Sequence, residues 1–254
     1  MITQDPKELE ILRQGGKILA AVLDLVAKQV KPGVSAFDLD QLAESEIRKL
    51  GGIPSFKNYR PQPGDTPFPA SLCVSVNDEV VHGIPGKDKI MQDGDIVGLD
   101  LGVQYQGLFT DAAITVPVGK VSGKYLKLIA AAQEALKAGL MQVKPDNYTG
   151  DVGFAIESIA KDYGFQVVRE LVGHGVGKAV HEEPEVPCFG KHGTGTKLIK
   201  GMVIAVEPMV NEFGWKVYFA QDNWTIKTSD HGRSSHFEHT VMITDNGCEI
   251  LTLQ

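Results

Sequence analysis

Ile96-Val97-Gly98-Leu99-Asp100-Leu101-Gly102, with Leu108-Phe109-Thr110-Asp111-Ala112-Ala113-Ile114 a few residues on, is the stretch whose reading decides the fold. Both runs are apolar, and Gln104-Tyr105-Gln106-Gly107 between them offers polar residues and a glycine for a turn. They read as an antiparallel pair, Ile96–Leu101 against Ala112–Val118. Each run also carries an aspartate where a buried strand should have none. Two more acids are placed the same way. Glu207 closes Met202-Val203-Ile204-Ala205-Val206, and Glu238, in His236-Phe237-Glu238-His239, leads into Thr240-Val241-Met242-Ile243. An unpaired buried carboxylate is expensive. No basic residue is interleaved in these runs, so buried ion pairs explain them poorly. Paired carboxylates for general acid–base work would account for two of the four; divalent cations account for all.

The histidines narrow the chemistry. Gly173-His174-Gly175-Val176-Gly177 sets one imidazole between glycines, where backbone can approach a ligand closely. His181 follows, just before Glu182-Glu183-Pro184, and His82 lies in Asn77-Asp78-Glu79-Val80-Val81-His82-Gly83-Ile84-Pro85. Oxygen-rich ligation with one imidazole suits Mn, Fe, Co or Zn better than a thiolate-bound structural zinc. Four carboxylates and one histidine can hold two divalent ions, with shared carboxylates bridging them at about 3.5–4 Å, a spacing that serves hydrolysis. His82 and His181, at an ordinary pKa of about 6.5, would share protons at neutral pH. Other motifs fail. Gly173–Gly177 lacks full dinucleotide-loop spacing, Thr196-Lys197 reverses the order a P-loop needs, and neither GxSxG nor HExxH occurs.

Composition agrees with an ordinary soluble globular protein: 254 residues, 43% hydrophobic and 22% charged, which excludes disorder and disulfide scaffolds. Lys plus Arg number 25 against 32 Asp plus Glu, a net charge of −7, so the basic surplus of a DNA binder is missing. Cys73, Cys188 and Cys248 lie far apart with no CxxC pair, which points to a reducing compartment. The first residues are polar, and no run of about 18 apolar residues occurs. A cytoplasmic protein with no membrane partner is expected.

Apolar spacing predicts a helix from Pro6 that stops before Lys31-Pro32-Gly33. Ser35 and Asp38 resemble a capping box opening a second helix through Ile47 to Gly51-Gly52. Tyr59 to Ala70, with Pro61, Pro63, Pro67, Pro69 and Gly64, reads as a loop. Leu72–Val76 and Val80–Ile84 read as strands. Helices are expected again over Tyr125–Val143 and about Gly150–Tyr163, followed by strands and loops. Val30-Lys31-Pro32 matches Val143-Lys144-Pro145, Glu44-Ser45 matches Glu157-Ser158, and Gly51 matches Gly164, each offset by 113 residues. One domain over 1–254 is expected, an internal repeat with halves of about 1–120 and 121–254.

Taken together these segments resemble the short, type I bacterial methionine aminopeptidases of metallopeptidase family M24. That family's ligand order of Asp, Asp, His, Glu, Glu falls on Asp100, Asp111, His174, Glu207 and Glu238. The matching motifs are Ser75-Val76-Asn77, His82-Gly83-Ile84-Pro85, Gly94-Asp95-Ile96-Val97, the His174 and His181 segments, Glu207-Pro208-Met209-Val210-Asn211 and Glu238-His239-Thr240. The resemblance spans essentially the whole chain. It implies an α/β (α+β) pita-bread fold, two halves related by a pseudo-two-fold around a central antiparallel sheet. It implies removal of the initiator methionine from nascent polypeptides, at the ribosome and by a monomer, when the second residue is small. The implied cofactor is two divalent ions per chain (Co, Mn, Fe, Zn or Ni), with a monovalent cation at Asn77 and Ser234. By resemblance Glu207 relays the proton of the attacking water, His181 contacts the scissile carbonyl oxygen and His82 lies near the amide nitrogen. Cys73, Phe68 and Trp224 fall where the family lines its methionine pocket.

Some positions depart from the family pattern. The stretch Phe56–Phe68 is longer and richer in proline than the usual tyrosine-bearing loop, and Phe68 stands in for one tyrosine. Val180 replaces an aromatic, and His236 replaces a common glutamine, where a neutral imidazole would donate to a ligand carboxylate. Two alternatives compete. An aminopeptidase P or prolidase relative shares the ligands but usually carries a large N-terminal domain, and a metal-free pita-bread binding protein would have lost them.

Overall fold

Two helix pairs, each followed by strands, organise the chain in the computed structural model, which describes residues 1–253. The helices are α1 (Pro6–Ala27), α2 (Ala36–Lys49), α3 (Gly123–Gln142) and α4 (Thr149–Asp162). In the first half lie β1 (Ile53–Pro54), β2 (Leu72–Val76), β3 (Glu79–Val81), β4 (Ile96–Tyr105) and β5 (Leu108–Pro117). The second half holds β6 (Gln166–Val167), β7 (Val172–Gly175), β8 (Glu182–Pro187), β9 (Val203–Val206) and β10 (Met209–Asn211). It closes with β11 (Val217–Phe219), β12 (Ile226–Thr228), β13 (Ser234–His236), β14 (Glu238–Ile243) and β15 (Cys248–Ile250).

Local chemistry sets the helix boundaries. Asp5 caps α1 by accepting from Lys7 N, with proline in the first turn where its missing N–H costs nothing. The α2 and α4 boundaries repeat the sequence offset: 36 to 149 and 49 to 162 are both differences of 113. Their caps are complementary halves of the expected box. Ser35 Oγ accepts from Asp38 N, while Asp38 takes the Ser35 hydroxyl rather than its backbone. At the corresponding place in the second half, Asp151 Oδ2 accepts from Tyr148 N, the contact missing in the first.

One nine-stranded antiparallel sheet runs in the order β1-β4-β5-β14-β9-β7-β8, with β2 also on β4 and β15 also on β14. The β4–β5 hairpin turns on Gln106 and Gly107 alone, both at positive φ (46° and 88°), so the strands are longer than their apolar cores suggested. Along β4 the residues alternate. Val97, Leu99, Leu101 and Val103 enter the core under α1 and α2, leaving Asp100 on the opposite face with Gly98 and Gly102. A second core packs α3 and α4 against the β9 and β14 side.

The halves meet where β5 adjoins β14. Only Ala112–His239 and Ala113–Glu238 pair there as ladder residues. Threonine hydroxyls extend the seam on either side. Thr240 Oγ1 accepts from Asp111 N and donates to Asp111 O, and Thr115 Oγ1 accepts from His236 N and donates to His236 O. The expected strand Val80–Ile84 is cut short at Val81, because His82 takes a left-handed backbone (φ 58°) that leaves the ladder and turns the chain toward the seam's cavity.

Candidate active site

The four acids singled out by their sequence context line one cavity of about 210 Å³, together with His174, His181 and His82. Asp100 comes from β4, Asp111 from β5, Glu238 from the first position of β14, and Glu207 from the turn after β9. Asp111, His174 and Glu238 each offer a ligand atom within 4.8 Å of the others, and Glu207, His236 and Glu238 do the same. Among the described residues, Asp100 Oδ1, Asp111 Oδ1 and Glu238 Oε1 are buried with no hydrogen-bond partner, and no lysine or arginine reaches ion-pair distance of these acids. Native proteins rarely leave such atoms orphaned. Burial pushes Glu207 up to about 8. Burial, opposed by His236 and reinforced by Glu207, lifts Asp100 to about 6. Asp111 and Glu238 are driven well above the usual carboxylate range by burial and then by their neighbours' charge. Convergent, unsatisfied carboxyl oxygens that burial keeps protonated until a cation takes the protons' place, beside an imidazole, are the donor set a divalent cation requires, so the residues fit that group.

His174 reaches the cavity from a distorted stretch of β7. The register against β8 shifts between Gly173 and Gly175. A Cβ on Gly173 would lie 2.5 Å from Ala205 O, and one on Gly175 would lie 2.1 Å from Glu183 O. Glycines on both sides therefore let the neighbouring strands close in while the histidine points out. His174 Nδ1 meets Gly175 O at 2.9 Å, which fixes that nitrogen as the N–H and leaves Nε2 facing Glu207 Oε1 at 3.4 Å. Burial, then the neighbouring His181, holds the ring near pKa 3, the neutral form a ligand needs.

The expectation that His82 and His181 titrate near their ordinary value is corrected by the structure. Burial pulls His181 down to about 4, and burial with the charges of His181 and His236 pulls His82 to about 4. Both are neutral imidazoles at pH 7, each with one nitrogen free to donate a hydrogen bond and one to accept. His181 packs edge-on to His174 at 4.4 Å, and Tyr59 OH lies 2.6 Å from His181 Nδ1. Burial and the charge of Asp111 push the Tyr59 pKa up, so the phenol keeps its proton and can donate it to Nδ1. When Tyr59 is the donor, the single ring proton of His181 is on Nε2.

Phe68, Cys73 and Trp224 come together as one apolar wall with Phe56, Ala70 and Val180. Phe68 and Trp224 meet edge to face at 5.3 Å, and Trp224 packs against His82 at 6.1 Å. Val180 fills this cluster as a buried aliphatic residue where an aromatic was the family norm. The proline-rich loop is anchored over the wall by Trp224 Nε1 donating to Thr66 O at 3.1 Å. Burial keeps the Cys73 thiol protonated, so it behaves as a small apolar surface. Farther off, Ser234 N donates to Asn77 O at 2.9 Å, which brings these two residues together.

Three contributors were missed by sequence reasoning. Tyr59 opens the proline-rich loop in the sequence and gives no local signal there, although it is the tyrosine of the segment compared with a tyrosine-bearing loop. Thr240 and Thr115 hold Asp111 and His236 by their backbones across the seam. Their signal was weak, since threonine in a strand is unremarkable.

A model of metallopeptidase family M24 matches residues 10–245. The chain belongs to that family and is a metal-dependent hydrolase of peptide bonds, with a divalent metal as its cofactor. Its full-length relatives are methionine aminopeptidases. Methionine aminopeptidase 1 of Bacillus subtilis is 44% identical over 252 residues, covering 99% of each chain. The Clostridium perfringens enzyme is 45% identical over 253 residues, 100% of this chain and 99% of its own. The crystal structure of the Thermotoga maritima enzyme superposes with a TM-score of 0.95 at 43% identity, covering both chains fully. Prolidase from Pyrococcus furiosus, at 23% identity and a TM-score of 0.79 over 66% of its length, shares the fold alone. The fold is the pita-bread fold, with its two halves around a central antiparallel sheet.

Proposed function

We propose that this chain removes the N-terminal methionine of polypeptides whose second residue is small. The observation that carries the reading is the set of buried, unsatisfied carboxylate oxygens opening beside a wall of Phe68, Cys73 and Trp224. Asp100, Asp111, His174, Glu207 and Glu238 would hold two divalent ions, drawn from Co, Mn, Fe, Zn or Ni. Bound there, the ions supply Lewis acidity toward the carbonyl and lower the pKa of water.

The chain's own groups do the rest. The apolar wall takes the thioether side chain, whose flexibility and polarisable sulfur suit aromatic edges. His181 Nε2–H donates to the scissile carbonyl oxygen, a contact that strengthens as negative charge develops there. The Glu207 carboxylate accepts the proton lost by the attacking water and passes it to the departing amide nitrogen. The C–N bond then breaks to give free methionine and a new amino terminus. His82, neutral and near that nitrogen, orients it.

The 254 residues would act as one catalytic domain built from an internal repeat, halves about 1–120 and 121–254, which the shared α2 and α4 boundaries support. Nascent polypeptide N-termini at the ribosome, in the cytoplasm, are the proposed substrates of a monomeric enzyme. A monovalent cation at Asn77 and Ser234, which lie within hydrogen-bond contact of each other, is part of the same reading.

A peptide panel under several divalent metals tests the reading. Met-Ala-Ser should be hydrolysed after its first residue and Ala-Pro-Ala left intact, and Met-Leu peptides should be slower than Met-Ala by at least roughly tenfold. Cleavage of Ala-Pro-Ala would favour a prolidase-like enzyme. Equal rates for Met-Ala and Met-Leu would remove the small-residue restriction. No metal uptake and no turnover would favour a binding protein.

A further inference from the structure

The Glu207 carboxylate has an imidazole nitrogen opposite each oxygen. His174 Nε2 lies 3.4 Å from Oε1, and His236 Nε2 lies 3.6 Å from Oε2. Both separations exceed the roughly 2.7–3.2 Å of a hydrogen bond. Two donors bound to a single cation at about 2.1 Å each, 90–120° apart, are themselves roughly 3.0–3.6 Å apart. His174 already belongs to the ligand set, and His236 meets the same condition on the other oxygen.

His236 is 3% exposed, and its Nε2 has no hydrogen-bond partner among the described residues. Such an atom is costly to bury unless something satisfies it. The ring is also held in place. His236 ends β13 opposite Met209, and Thr115 of the other half grips both its N–H and its carbonyl at 2.9 and 2.8 Å. The expected hydrogen bond from this imidazole to a ligand carboxylate is not formed with Glu207, because the gap is too long.

We propose that His236 is a sixth ligand of the metal centre, donating through Nε2 to the ion held by Glu207 and Glu238. The proposal rests on the reading of this cavity as a divalent-metal site. The two convergent groups, Asp111–His174–Glu238 and Glu207–His236–Glu238, then share Glu238 and contribute one imidazole each. Imidazole favours Co, Ni and Zn over Mn more than a glutamine amide at this position would, so His236 tunes the centre toward those ions.

X-ray absorption on wild-type protein loaded with two equivalents of Co(II) should count two imidazoles per chain, and His236→Gln should count one. Calorimetric titration of metal-stripped protein should show the variant losing at least about tenfold in affinity for one of two Co(II) ions, with a smaller loss for Mn(II). Circular dichroism checks that the variant is folded, and the wild-type imidazole count decides the matter even if it is not. Two Co(II) ions bound with a single imidazole overturn the sixth ligand while leaving the metal centre standing. A wild-type chain that takes up no divalent ion overturns the centre and this proposal together.

Discussion

The floor of the cavity is assembled from strands of both halves, and its wall mostly from loops, with Cys73 of β2 added. Asp100, Asp111, His174 and Glu238 sit within β4, β5, β7 and β14, and Glu207 directly follows β9. Their positions are fixed by ladder hydrogen bonds and by threonine clasps across the seam. Tyr59 and Phe68 come instead from the proline-rich loop, Trp224 from the β11–β12 connection, and His82 and His181 from strand ends. These hold one another through a few contacts such as Trp224 to Thr66 and Tyr59 to His181. On the proposed reading, the groups that hold the metal, which tolerate little displacement, are carried by the sheet, and selection among side chains falls to segments that can change length without disturbing it. Errors in the floor should therefore abolish activity, and errors in the wall should grade it.

The largest effect is expected at the floor. His174→Ala removes a proposed ligand held by β7, and kcat/KM for Met-Ala-Ser should fall by more than about 100-fold, beyond the usual loss for a residue that merely supports a ligand. Circular dichroism should stay unchanged, because the flanking glycines and not the imidazole set the strand packing. Near-normal turnover would take His174 out of the site and break the division between floor and wall.

Metal removal should expose the electrostatic cost of the same region. Without cations, folded Asp100 and Glu207 hold protons up to about pH 6 and 8, whereas the unfolded chain releases them near its ordinary carboxylate pKa of about 4. The folded state binds more protons in that window, so stability falls as pH rises through it. His82, His174 and His181 work in the opposite sense. Their folded values of about 4, 3 and 4 mean stability falls as pH drops below about 6.5. Above pH 6.5 the carboxylates act alone. Tm of chelated protein should drop by several degrees from pH 6.5 to 8, while metal-loaded protein stays nearly flat. Identical slopes for the two forms would mean the acids are not held in place by cations.

This contrast also explains what could be read in advance. Asp100 between Leu99 and Leu101 breaks a strong local rule, and a residue that breaks a rule advertises its function. All four acids and both glycine-flanked faces of His174 were legible for that reason, as were the helices, whose boundaries shifted by one to three residues, most at the C-terminal end of α1. Tyr59 breaks no rule. A tyrosine in a loop is ordinary, and only the three-dimensional return of that loop over His181 gives it a role. The short β3 was illegible too, since Val80-Val81-His82-Gly83-Ile84 has strand composition throughout and the turn comes from His82 alone. Neither the depressed histidine pKa values nor the orphaned Nε2 of His236 has any trace in residue type, because both arise from burial by distant segments.

The smallest expected effect tests whether the wall contributes to chemistry at all. Tyr59→Phe keeps the ring against His181 and deletes one hydroxyl. With Nδ1 no longer occupied, neutral His181 is free to carry its proton on either nitrogen, and only the Nε2–H form can donate to the carbonyl oxygen. A hydrogen bond worth about 1 kcal/mol corresponds to roughly a fivefold loss. That loss should fall on kcat with Met-Ala-Ser, leaving KM nearly unchanged, because the methionine side chain meets the same apolar surface. Nitrogen-15 NMR of the imidazoles should show His181 passing from a single Nε2–H tautomer to a mixture. A raised KM with kcat and tautomer intact would make Tyr59 a lining residue only, and the loop would then select substrate without touching the reaction.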